Sequence, residues 1–141
     1  LVVLERNRYY RGSRPAQVAR GIQGAHTDSR ALLTSEEIRE AMRVTSGVRD
    51  DRSARDDMEA ITRELERDIA GAAPRFGLYI NCAGRGAALY GQRDVDTRII
   101  KARFGDLPLA GMQSSYEIVP HSGRPTFQLF TGVLGLFSAP S

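Results

Sequence analysis

The stretch Asn81-Cys82-Ala83-Gly84-Arg85-Gly86-Ala87-Ala88-Leu89 gathers the residue types that chemistry uses most. It holds the single cysteine of the chain, a guanidinium, an amide and two glycines, directly after the apolar run Phe76-Gly77-Leu78-Tyr79-Ile80. One reading is a thiol nucleophile. A nucleophile elbow sets Gly two residues before and two after the reacting residue; Gly84 meets the second condition and Ile80 fails the first. The thiol also needs a base. His26 and His121 are the two histidines, and Glu117 could orient His121. Such a set would serve a thiol hydrolase or acyl transferase, but a buried, inert cysteine at a strand end is the more economical reading. A second reading is a phosphate cradle. A Walker loop requires Gly-Lys-Ser/Thr, and no lysine follows the glycines here. The dinucleotide fingerprint stops at Leu89, where its third glycine belongs.

A third reading remains. Glycines let backbone N–H groups come close to a ligand. Arg85 supplies a forked donor suited to a carboxylate. The end of a hydrophobic strand is a common place for a small-ligand site. Asn81, Cys82, Gly84, Arg85 and Gly86 are therefore candidate ligand-binding residues. The competing reading is a packing loop in which Arg85 pairs with an internal acid such as Glu117. His26 with Asp28, and Glu117 with His121, have no recognised metal-ligand spacing, so neither a metal nor a cofactor is expected.

The elements that position this loop can be read along the chain. Leu1–Leu4 reads as a strand and 5–20 as loop. Residues 20–33 read as two extended pieces around a turn at His26-Thr27-Asp28-Ser29. A short turn or helix reaches Ala41 and a strand runs from Met42 to Arg49. Residues 53–70 form the clearest helix, capped by Ser53 with Asp56 and Asp57 in its first turn. Met58, Ile61, Leu65 and Ile69 make its inward stripe, and Glu59 can pair with Arg63 outside. Gly71 and Pro74 end it. Phe76–Asn81 is a buried strand, Asp94–Phe104 a second helix, and 107–118 a further strand. Pro120–Pro125 is a turn, and Phe127–Phe137 a long closing strand. Strands and helices mix without strict alternation, which gives an α+β class: a mixed, largely antiparallel sheet with two main helices packed against it.

The 141 residues suit a single domain. One cysteine cannot form an internal disulfide. The longest apolar runs are too short to span a bilayer, so no membrane insertion is expected. The chain opens on Leu1, not Met, and is read as a piece of a longer protein. All 20 basic residues but Lys101 are arginine, and the formal net charge is +3. Basic and acidic residues are mostly interleaved rather than gathered into a stripe with aromatics, which argues against nucleic acid.

The segment "FGLYINCAGRGAALYG" (76–91) resembles the central motif of the FIST C domain. "LPLAGMQSSYEIVP" (107–120) is similar to that family's Pro-Leu-x-Gly segment leading to a Gly-Glu-Ile motif, with Tyr116 in place of the glycine. "FQLFTGVLGLF" (127–137) is similar to its closing strand with Thr-Gly-Val, and the helix after "MRVTSGVRDD" keeps the family's order. The resemblance covers about residues 20–137. It implies a cytoplasmic, bacterial sensory domain of signal transduction that binds a small ligand, an amino acid among the candidates, and it brings no catalytic residues. On that reading Arg85 holds a ligand carboxylate and Glu117 its ammonium. The partners implied are the ligand and an N-terminal FIST half or a downstream signalling domain. A structural half-domain that packs on that N-terminal half is the other reading.

Overall fold

The structure is a computed structural model, and it describes residues 2–6, 16–69, 71–121 and 124–139. Its elements in chain order are β1 (Val2–Arg6), β2 (Ala16–Arg20), β3 (Ile22–His26), β4 (Ala31–Thr34), β5 (Arg43–Ser46), α1 (Asp51–Asp68), β6 (Pro74–Cys82), a single 3-10 turn (Ala83–Arg85), α2 (Ala87–Tyr90), α3 (Val95–Phe104), β7 (Leu109–Ser114), β8 (Glu117–His121), β9 (Arg124–Gln128) and β10 (Gly132–Ser138). The α+β class holds: the pairs β1–β2, β1–β5, β3–β4 and β6–β10 are antiparallel and β6–β7 is parallel. Among the described residues the strands form four small sheets rather than one.

The chain divides into two compact units, residues 1–48 with 118–129, and residues 49–117 with 130–141. The first holds the antiparallel sheet β2-β1-β5 and the hairpin β3–β4. Val18 is buried there with Met42 packed against it. Arg20 is buried too, and its Nε donates to Glu36 Oε2 at 2.6 Å. The expected loop over 5–20 is thus a strand at both described ends. Ala16–Arg20 pairs residue for residue with Val2–Arg6, and the inter-strand backbone bonds outweigh the weak strand pattern of "AQVAR".

The second unit carries the Cys82 loop. Its α1 begins two residues before the expected start, because Asp50 and not Ser53 is the cap: the Asp50 carboxylate accepts from Ser53 N at 2.9 Å. That bond to an otherwise unpartnered N–H also holds the Asp50 carboxyl below its usual range. The Glu59–Arg63 pair forms at 3.9 Å. The inward stripe differs from the expected one. Met58 and Thr62 are buried, whereas Ile61 is 56% exposed. Thr62 is tolerated inside because its hydroxyl donates to the Met58 carbonyl at 2.9 Å.

The central sheet of this unit has the order β10-β6-β7. A parallel pair such as β6–β7 needs a crossover connection, and α2 and α3 lie in it. Met58, Tyr79 and Ile100 form the core, with Ile99, Phe104, Leu109 and Leu134 against them. Along β6, Gly77 and Tyr79 face this core, and Phe76, Leu78 and Ile80 face the other way and are 40–44% exposed. The register sets Phe137, Gly135 and Val133 of β10, and Ala110 and Met112 of β7, beside those three.

Two further expectations change. The strand expected over 107–118 is two strands, β7 and β8, and part of the expected 120–125 turn is strand, since β8 runs to His121 and β9 starts at Arg124. The long closing strand is broken between β9 and β10, where Phe130 takes a left-handed φ of 64°. That conformation redirects the backbone, and no glycine marks it in advance.

Candidate functional site

The loop after β6 is organised by Asp96, in the first turn of α3. Its carboxylate is 3% exposed and accepts four hydrogen bonds, two on each oxygen. Tyr79 Oη and Arg85 Nε donate to Oδ2 at 2.8 and 3.1 Å. Tyr90 Oη and Arg85 Nη2 donate to Oδ1 at 2.6 and 3.1 Å. Arg85 Nη2 also donates to Tyr90 Oη at 2.7 Å. The Tyr79 hydroxyl lies 3.1 Å from Asn81 Oδ1. A carboxylate has about four lone-pair sites, so Asp96 is saturated by the fold itself.

The electrostatics follow. Burial works against the Arg85 charge, and the bidentate Asp96 pair more than offsets it, so its pKa stands above the ordinary arginine value. Burial, reinforced by Asp96, raises the pKa of both Tyr79 and Tyr90 above the usual phenol value. Both phenols stay protonated and act as fixed donors.

Two glycines make room for this arrangement. A Cβ on Gly111 would collide with the Tyr79 carbonyl, and one on Gly132 would collide with the Tyr79 hydroxyl and ring. Gly111 is the β7 partner of Tyr79 in the register. The glycines of "LPLAGM" and "TGV" thus leave space for one tyrosine.

A cleft of about 340 Å³ opens over the network. Asn81, Arg85 and Gly86 line it, together with Asp94, Thr97 and Gln113. Arg85 uses Nε and Nη2 inside the fold, and among the described residues its Nη1 has no hydrogen-bond partner. Asp94, at the N-cap of α3, has φ 62° and makes no side-chain cap bond, so its carboxylate does not satisfy the first-turn N–H groups of α3 at the same end. A second, more apolar cleft of about 400 Å³ runs beside α1, lined by Met58, Ile61, Leu65, Phe130 and Leu134, and it shares Tyr79 and Arg85 with the first.

The other sequence candidates lie apart from the polar cleft. Cys82 is buried, with Sγ 4.0 Å from the Ser115 carbonyl oxygen. Gly84 sits under Phe130: a Cβ there would be 3.1 Å from the ring, the Arg49 guanidinium lies 4.1 Å from the ring centroid, and Arg49 Nη2 donates to the Gly84 carbonyl. Glu117 is 3% exposed and accepts from Ser114 Oγ at 2.6 Å and Thr131 Oγ1 at 2.8 Å. The internal acid that pairs with Arg85 is Asp96, not Glu117. Tyr116, at the position where the family carries glycine, is not among the residues with positive φ. The side chain of His121 lies outside the described residues. Sequence reasoning missed Tyr79, Tyr90 and Asp96; the glycines opposite Tyr79 were the available signal.

Among the described residues no group of three His, Cys, Asp or Glu side chains could hold a metal ion, and no helix is long and apolar enough to cross a membrane.

The family model of the FIST C domain matches residues 2–120. An uncharacterized protein of Mycobacterium tuberculosis is 31% identical over 118 residues, 84% of this chain and 30% of its own length. An uncharacterized protein of Mycobacterium bovis is 30% identical over 120 residues, 85% of this chain and 31% of its own length. The chain thus spans about a third of the length of these relatives. No solved structure matches. The chain belongs to the FIST C domain family, a sensory-type domain of signalling proteins.

Proposed function

We propose that this FIST C chain is the ligand-binding part of an intracellular sensor, and that its ligand is a small zwitterion, an amino acid. The observation that supports it is the pinned Arg85 guanidinium, with no partner at Nη1 among the described residues, on the wall of the polar cleft. Pinning lowers the ordering cost of binding, because the donor is already oriented. The ligand carboxylate sits at Arg85 Nη1 and the first turn of α3, where the helix dipole favours an anion. Asn81 and Gln113 contribute amide groups, and Gly86 lets the backbone approach. The ammonium goes to Asp94 rather than to Glu117, whose carboxylate is buried under two hydroxyls. Cys82 and Gly84 support the loop from behind.

In the longer protein this binding step is passed on to an N-terminal FIST half or a downstream signalling domain. A thiol-enzyme reading finds less support, because a nucleophilic thiolate needs access and Cys82 is 4% exposed.

A thermal-shift screen of the chain against the amino acids and small carboxylates tests the reading. A ligand that binds the native state raises Tm with concentration. A folded chain whose Tm no such compound moves contradicts it.

A further inference from the structure

Among the described residues, the helices α1 and α3 pack on the Tyr79 face of the β10-β6-β7 sheet, through Met58 and Ile100. On the other face, the register aligns three rows that run across the strands: Phe76 with Phe137, then Leu78 with Gly135 and Ala110, then Ile80 with Val133 and Met112. None of these residues is polar or charged. Phe76 and Phe137 stack at 4.5 Å with 4° between their ring planes and form a ridge at one end of the face. Gly135 and Ala110 leave the middle row low. Phe76, Leu78, Ile80 and Phe137 are 40–44% exposed and Met112 is 63% exposed.

Where a sheet leaves one face to solvent, that face is normally polar; this one is apolar. The outward face amounts to on the order of 500 Å² of apolar surface, towards the upper end of what the largest patch of an ordinary monomer reaches, and patches of that size are often functional.

We propose that this face pairs with the same face of a second copy of the chain, sheet on sheet, about a two-fold axis along the middle row. Three features of the face fit a second copy. It carries no charge, so two chains of net charge +3 meet there without like charges in opposition. It is self-complementary: rotation about the middle row sets the phenylalanine ridge of one copy over the Ile80–Met112 end of the other, and the low middle row lets the sheets approach. Two such patches together bury roughly 1,000 Å², the lower bound for a specific interface. The face adjoins the ligand cleft along the edge strand β7, where Ala110 and Met112 also line that cleft, so the substitutions that test the pairing are placed on β6, away from it.

Sedimentation velocity of the chain from low to several hundred micromolar, on the wild type and on Leu78→Lys and Ile80→Glu separately, tests the proposal. Both substitutions place a charge on an exposed outward position and leave the core untouched. The expected result is a concentration-dependent dimer in the wild type. Each variant is expected to be monomeric across the range, with an unchanged far-UV spectrum and a cooperative melt. A wild type that stays monomeric throughout overturns the proposal and returns the face to a further segment of polypeptide, such as an N-terminal half. A dimer that neither substitution disturbs overturns it as well.

Discussion

The two faces of strand β6 invert the usual rule. Gly77 and Tyr79 face the helices, and the Tyr79 hydroxyl enters a hydrogen-bonded network with Asp96, Arg85 and Tyr90. Phe76, Leu78 and Ile80 face outward and are wholly apolar. A half-covered strand normally buries its apolar side and exposes its polar one. The difference teaches that burial alone does not separate core from function. The inner face uses buried polar groups to hold a guanidinium in one orientation at a cleft, and the outer face presents half-exposed apolar side chains.

If the inner face is a rigid unit organised by Asp96, the largest effect comes from removing that charge. Asp96→Asn leaves Arg85 charged, only 13% exposed on its side chain, and without its counterion. Losing one partner of a buried pair costs about 3–5 kcal/mol. Urea unfolding of the variant is expected to show a loss of that size, and a loss below that of Tyr79→Phe breaks the comparison. Tyr79→Phe removes one donor of the four while keeping the ring that Gly132 accommodates. About 1–3 kcal/mol is expected for that change, again read by urea unfolding.

A smaller effect sharpens the same point through pH. Burial and the Asp96 carboxylate raise both phenol pKa values in the fold, while in the unfolded chain a phenol titrates near 10. Above that value the unfolded state binds fewer protons than the native state, so stability falls as pH rises. Below it, the contribution of the phenols is fully present. Thermal melts across the alkaline range are expected to show Tm falling from about pH 10 upward, and Tyr79→Phe is expected to flatten the fall. An equal fall in wild type and variant breaks this account.

Much of the fold was legible because it is local. The spacing of Met58 and Leu65, with acidic residues ahead of them, marked α1. The apolar run at 76–80 marked β6, and the polar turn at 26–29 marked the β3–β4 hairpin. Errors came where tertiary pairing decides. Ala16–Arg20 becomes a strand through its partner Val2–Arg6. The closing strand breaks at Phe130, a non-glycine residue at positive φ.

The site was legible only in part, for a similar reason. Asn81, Arg85 and Gly86 are adjacent in sequence and line one cleft. Asp96 lies eleven residues beyond Arg85 on another helix, so its role as the partner of Arg85 depends on how the α2–α3 crossover returns the chain. Glu117 looked available for a ligand because Ser114 and Thr131, its two hydroxyl donors, come from different strands or their ends.

The most direct measurement is isothermal titration of the amino acids into the wild type and into Asp94→Ala and Gln113→Leu. Both substitutions line the cleft and lie outside the buried network. Saturable binding of an amino acid to the wild type is expected, weakened about tenfold or more in each variant, which corresponds to roughly 1.4 kcal/mol. The absence of binding to a folded wild type, or an affinity unchanged in both variants, contradicts the account.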